Sequence, residues 1–156
     1  MLRAALWNAQ GLRKDSVFVA VLEGPPNAPL SLTFKGKELE CYLLNEFESV
    51  ECIRRCMKGE LKGCKVERKD LGEVLRSIGV PIVLLSEDGK DIDEVKIPKS
   101  FAVVLGSQHD VELPSDIEIS LKVSVGPRSY LASHCISFLH YKLDATMGSE
   151  PRQRLS

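Results

Sequence analysis

The sequence predicts a single-domain α/β fold with a mainly parallel sheet, and three observations carry that expectation. Short apolar runs alternate along the chain with segments of helical period, the order that parallel strands and their crossover helices produce. The runs Val17–Leu22, Val80–Leu85 and Phe101–Leu105 are almost continuously apolar, as strands covered on both faces are. At 156 residues and 44% hydrophobic content, the chain has material for one compact core. Such a core buries roughly two-thirds of the unfolded surface, and a second folded domain would not fit beside it.

Leu2, Ala5, Leu6 and Ala9 share one helical face, and Gly11 supplies a stop, so a short first helix is expected over residues 1–12. Val17–Leu22, bounded by Arg13-Lys14-Asp15 and Gly24-Pro25-Pro26-Asn27, reads as a buried central strand ending in a turn. Leu30-Ser31-Leu32-Thr33-Phe34 alternates, as a strand with one wet face does. Asn45 is placed to cap a helix carrying Phe47, Val50, Ile53 and Met57 to about Gly59. Asp70 opens another over Leu71, Val74, Leu75 and Ile78, closed by Gly79. Val80–Leu85 is the next buried strand, and Asp88-Gly89 marks a tight reversal before Ile92. Residues 1–144 then form the domain, and 145–156, polar and interrupted by Pro151, form a disordered tail.

The C-terminal half is the most site-like region. Phe101–Leu105 exits at Gly106. Ile117–Val125 exits at Gly126-Pro127 and leads into an amphipathic helix from Tyr130 to Leu143. Paired glycine exits leave backbone N–H and C=O groups where a small cofactor can lie against them, although strand-end glycines also serve positive φ alone. Cys135 shares an apolar stripe with Leu131, Phe138 and Leu139, which gives it a packing role first. His134 and His140 read as interface or surface histidines.

Lys plus Arg number 21 and Asp plus Glu 22, so global charge does not favour nucleic acid and any such partner needs a local patch. Arg54, Arg55, Lys58 and Lys62, continued by Lys65, Arg68 and Lys69, supply the best one. A solvated helix face is the plain alternative. Trp7, Tyr42 and Tyr130 are the aromatic candidates for stacking on bases. No run approaches the ~18 apolar residues of a membrane helix, and residues 1–12 lack a secretory pattern, so a soluble, cytoplasmic protein is expected. The five cysteines are odd in number and lie in helix-like or strand-like contexts, which favours reduced thiols. Cys52 and Cys56 stand i, i+4, but no further pair completes a metal set, so no metal is expected.

Three stretches carry a resemblance. Arg13-Lys14-Asp15-Ser16-Val17-Phe18, with Gly24–Gly36 after it, is similar to the R-x-D-[ST] strand and proline-rich hairpin of the archaeal tRNA pseudouridine-54 N1-methyltransferases. Val104-Leu105-Gly106 resembles that family's V-L-G strand end. Ser124-Val125-Gly126-Pro127 through His134-Cys135-Ile136 resembles its S-L-S-P and H-C-I elements at the same spacing.

The resemblance covers most of residues 12–144 and implies a SPOUT-class domain with a C-terminal trefoil knot, S-adenosylmethionine (SAM) bound in the knot, tRNA as substrate and an obligate homodimer. Val104, Leu105, Gly106, Ser124, Val125, Gly126, Tyr130 and Cys135 become the cofactor residues under it. Asp15 becomes the acceptor of the target ring's N–H, with Arg13 holding a phosphate or the developing negative charge. Without the resemblance, Asp15 caps a turn and Arg13 is solvated. The chain departs from the family in three places. The family has a strand before the first helix, its Asp-His after V-L-G is Ser107-Gln108 here with His109 following, and its acid before H-C is Ser133. Methylation of a ribose 2'-oxygen or of another RNA base is the enzymatic alternative. An inactive homologue that binds RNA or cofactor is the other.

Overall fold

The computed structural model describes residues 1–26, 28–106 and 111–147. Expectations placed on Ser107, Gln108, His109 and residues 148–156 lie outside them. Helix α1 (Leu2–Leu6) gives way to a small hairpin of β1 (Trp7–Asn8) and β2 (Gly11–Leu12), so the expected helix over 1–12 ends halfway. The cause is local: Asn8 Oδ1 accepts the Gln10 N–H at 2.8 Å and Gly11 takes φ 114°, a turn that competes with the next helical bonds.

Strands β3 (Val17–Leu22), β4 (Leu30–Lys35) and β5 (Cys64–Glu67) form an antiparallel sheet with β4 in the middle. This moves the strand expected at the centre to the edge. The apolar run β3 is an edge strand with Val17 and Leu22 exposed, whereas alternating β4 is the central one. Leu30, Leu32 and Phe34 enter the core, and Ser31, on the other face, is buried too, its Oγ donating to the Glu67 carbonyl at 3.3 Å. Strand position was decided by pairing partners, which composition does not encode.

Helix α2 (Glu46–Met57) starts as expected, with Asn45 Oδ1 accepting from the Glu48 N–H at 2.9 Å. It ends in a Schellman motif, the Gly59 and Glu60 N–H groups reaching the Cys56 and Arg55 carbonyls at 2.9 Å. Its orientation differs from the expectation. Phe47, Val50 and Met57 face outward, while Ser49, Cys52 and Cys56 are buried. The four cysteines around this helix are joined, Cys41 to Cys52 and Cys56 to Cys64, with Cα separations of 6.2 and 5.6 Å. Reduced thiols were therefore the wrong expectation for these four. The i, i+4 cysteines take partners from the segment before the helix and the strand after it, a pairing that spacing alone could not assign.

The C-terminal sheet is parallel, in the order β7-β6-β8, where β6 spans Ile82–Asp91, β7 Ala102–Val104 and β8 Leu121–Ser124. Both faces are covered. Ile82 and Val104 pack with Leu75 of α3 (Leu71–Arg76), a helix capped by Asp70 as expected. Val83 and Val123 pack with Leu139 of α4 (Ala132–Met147) on the other side. Asp88-Gly89 does not reverse the chain. Leu85 and Lys90 both face Val123, so Ser86–Gly89 bulges out and β6 resumes alongside β8. Gly89 is required there, because a Cβ would stand 2.6 Å from the Val123 nitrogen. Among the described residues no helix is long and apolar enough to cross a membrane, and no His, Cys, Asp and Glu group could hold a metal ion.

Helix α4 starts two residues later than expected and runs on to Met147. Leu131 precedes it and is 65% exposed, so it leaves the stripe shared by Cys135, Phe138 and Leu139. Ile136 enters the core of the antiparallel sheet and Leu139 that of the parallel sheet. His140 is half-buried against α1, its Nε2–H donating to the Ala5 carbonyl at 2.8 Å. Burial, then the Arg13 cation, holds the imidazole below its ordinary value of 6.5, against weaker opposing effects from the Ala5 bond, Asp144 and Asp15. The unfolded chain therefore takes up a proton that the native chain resists, and stability falls as pH drops below about 6.5. Urea denaturation at pH 7, 6 and 5 should show this slope, and His140→Gln, which keeps an N–H donor, should flatten it. Asp144 titrates in a separate window, since pairing with Arg13 lowers it from 3.8.

Candidate functional site

Two parallel strands end, and the strand between them leaves its ladder, at one place. Leu85, Ser86 and Glu87 leave β6, Leu105 and Gly106 follow β7, and Ser124, Val125 and Gly126 close β8. Together with Tyr130, Ala132 and Cys135 at the start of α4, they line a cleft. The carboxyl ends of parallel strands are where open α/β sheets bind ligands, because the chain diverges there and leaves backbone groups unpaired. Leu105, Gly106, Ser124, Val125, Gly126, Tyr130 and Cys135, all read from the sequence as cofactor residues, are thus brought together. Val104 is not among them, since its place in β7 turns it into the core with Leu75 and Ile82.

Local bonds shape the cleft. Ser124 Oγ donates to the Gly126 carbonyl at 2.9 Å and fixes the exit turn of β8. The ring of Tyr130 lies so close to Gly126 that a Cβ would stand 2.6 Å from it, so any side chain there displaces the ring. Cys135 is buried, and that burial pushes its thiol above the ordinary value of 9.0, which keeps it protonated and poorly nucleophilic. Ser86, Glu87, Val111, Arg128 and Ser129 also line the cleft and were missed in the sequence. The signal was present at Asp88-Gly89, where a bulge was mistaken for a turn. A wider opening of about 440 Å³, against about 200 Å³ for this cleft, lies at the opposite end of β6 and is crossed by the Arg76–Asp116 ion pair. It lacks the divergent strand ends, so size does not select it.

Arg13 and Asp15 stand elsewhere. Arg13 makes a two-pronged ion pair with Asp144 near the end of α4, at 3.1 and 2.8 Å, and Asp15 is exposed, accepting from Ser16 Oγ at 3.0 Å. Nine residues of helix separate Asp144 from Cys135, about 13 Å along the axis. Gly36 buttresses the Arg13–Ser16 turn. Its N–H donates to the Ser16 carbonyl at 2.9 Å, and a Cβ would stand 1.9 Å from the Arg13 carbonyl oxygen.

The basic patch is partly neutralised. Arg54 pairs with Glu51, Lys62 with Glu40, and Lys65 and Lys69 with Glu67. Arg54 and Arg55 also sit in the last turn of α2, where the helix dipole favours cations. Trp7 and Tyr42 meet edge to face at 6.4 Å, and Tyr42 is largely exposed.

Residues 1–147 match the family model of the SAM-dependent RNA methyltransferases. The chain is 32% identical to the tRNA (pseudouridine(54)-N(1))-methyltransferase of Pyrococcus abyssi, over 92% of this chain and 80% of the relative. It is 32% identical to that of Thermococcus kodakarensis, over 92% and 81%. For the Methanopyrus kandleri enzyme the identity is 30%, over 90% and 74%. In fold it resembles Archaeoglobus fulgidus Nep1 bound to S-adenosylhomocysteine, with a TM-score of 0.50 and 13% identity over 76% of this chain and 58% of that one. With its strand-end cleft and a family model matched from Met1 to Met147, the chain belongs to the SAM-dependent RNA methyltransferase family.

Proposed function

We propose that this protein methylates N1 of pseudouridine 54 in the T-loop of tRNA, working as a homodimer in the cytoplasm with SAM as methyl donor. The observation that carries the reading is the agreement of relatives 30–32% identical over most of the chain, all named for that reaction. The knotted threading implied by the resemblance belongs to the same proposal. The cleft suits the cofactor, because polar groups converge there where the parallel strands leave their ladder. Bound SAM supplies an electrophilic methyl group on a sulfonium centre.

The chain's own residues then have to hold the target ring and favour loss of its N1 proton. Asp15 accepts the hydrogen bond of that N–H, and Arg13 exchanges Asp144 for a phosphate or for the ring's developing charge. Neither lines the cleft of its own protomer, and Arg13 is held by Asp144, nine positions along α4 from Cys135, so in this reading they serve the partner's cleft across a twofold axis. The exposed Tyr130, Leu131 and Tyr141 are the apolar surface that such an interface would cover.

Gly106→Val should weaken SAM binding by more than about tenfold, ~1.4 kcal/mol, in calorimetry. A folded variant with unchanged affinity would remove the site. Asp15→Asn should lower turnover roughly a hundredfold while tRNA binding stays near normal. At a SAM concentration below the weakened Kd each of these two dimers is impaired alone, yet mixed and allowed to exchange subunits they should form N1-methylpseudouridine faster than either, read by nucleoside mass spectrometry. No recovery would deny the action across subunits, and normal turnover in Asp15→Asn would return Asp15 to a turn cap. Changing Arg54, Arg55, Lys58 and Lys62 together to Ala should weaken tRNA binding and flatten its salt dependence without touching SAM affinity. Most of that loss should come from Arg55 and Lys58, whose neighbours hold no carboxylate in an ion pair with them among the described residues.

A further inference from the structure

The bulge of β6 puts two adjacent carboxylates in different situations. Asp88 accepts from Ser86 Oγ and is paired with Lys122 at 3.0 Å, which together hold its carboxyl at about 2. Glu87 instead lines the cleft, where its carboxylate accepts from Ser129 Oγ on the far wall. It has no ion-pair partner among the described residues, and it is the one carboxylate among the described cleft residues. The one cation on the described lining is Arg128.

From this arrangement we infer that Glu87 is a specificity-determining residue that makes the cleft prefer the charged methyl donor over its spent form. The inference rests on the cleft being the cofactor site. SAM and S-adenosylhomocysteine have the same adenosine, the same amino group and the same carboxylate. They differ by the methyl group and by the positive charge of the sulfonium. Arg128 suits the carboxylate common to both, and its charge repels the sulfonium, so it cannot supply a preference for SAM. A carboxylate with no cation of its own can, since its attraction for the extra charge is lost when the methyl group leaves. Glu87 thereby favours loading before transfer and release after it. Its exposure to solvent keeps the effect modest and makes it sensitive to salt.

Glu87→Gln tests this cleanly, because glutamine keeps the length of the side chain and the acceptor for Ser129 while removing only the charge. Calorimetry at low salt should show SAM and its amine analogue sinefungin, which carries an ammonium in place of the sulfonium, weakened about three- to tenfold. S-adenosylhomocysteine should change less than about twofold, and the difference should shrink at high salt. Ser129→Ala, which leaves the charge, should preserve the preference. Equal weakening of all three ligands, or no change in any, would overturn the inference. Gly106→Val measured alongside separates the two readings. If it leaves every affinity intact, the ligand does not occupy this cleft and the site itself is wrong. If it weakens all three while Glu87→Gln acts on them equally, only the role of Glu87 falls.

Discussion

Helix α4 is the element on which the rest of the molecule depends. Its Ile136 belongs to the core of the antiparallel sheet and its Leu139 to the core of the parallel one. Truncating a buried Leu or Ile to Ala generally costs about 2–5 kcal/mol, and here the loss would fall on the joint between the two sheets. Polar contacts continue the same joint toward its end, with His140 on the Ala5 carbonyl and Arg13 on Asp144. The first turn of the same helix walls the cleft through Ala132 and Cys135. Core packing and the geometry of the cleft are therefore set by one rigid body.

The cleft is where regular pairing stops. β6 leaves the ladder for Ser86–Gly89, β7 ends before Gly106, and β8 ends in a turn that Ser124 stabilises from within. Each departure exposes backbone polar groups that sheet bonds would otherwise consume. Glycine is required where the approaching atoms are backbone, as at Gly89 against Val123. At Gly126 the close neighbour is a ring that a ligand or a substitution can move.

Much of this was legible in the sequence, for reasons that differ by element. Asn45 and Asp70 announced their helices because a cap is a local bond to a residue three positions on. The glycine exits after β7 and β8 marked most of the cleft, since the end of a strand is also local. Strand order was not local, so continuously apolar β3, expected in the middle, is an edge strand, and β4, expected only to have one wet face, is the central one. The cysteine pairs were hidden because each partner comes from a neighbouring segment, and they turn the cysteine face of α2 inward at the expense of Phe47 and Val50. Glu87 was missed because a bulge and a turn share the same Asp-Gly signature.

The excursion at Ser86–Gly89 also sets a phase. Leu85 and Lys90 share the partner Val123, and two residues beyond Lys90, Ile92 is buried in the core beneath α4. Side chains alternate with a period of two, so removing one residue from the excursion would carry Lys90 and Asp91 to the opposite faces of β6 and displace the 3-10 turn Ile92–Glu94, with buried Ile92, that follows them. The number of residues in this wall of the cleft is thereby fixed by the sheet, whatever ligand the wall serves. Its residues are free to vary in kind while their count is not.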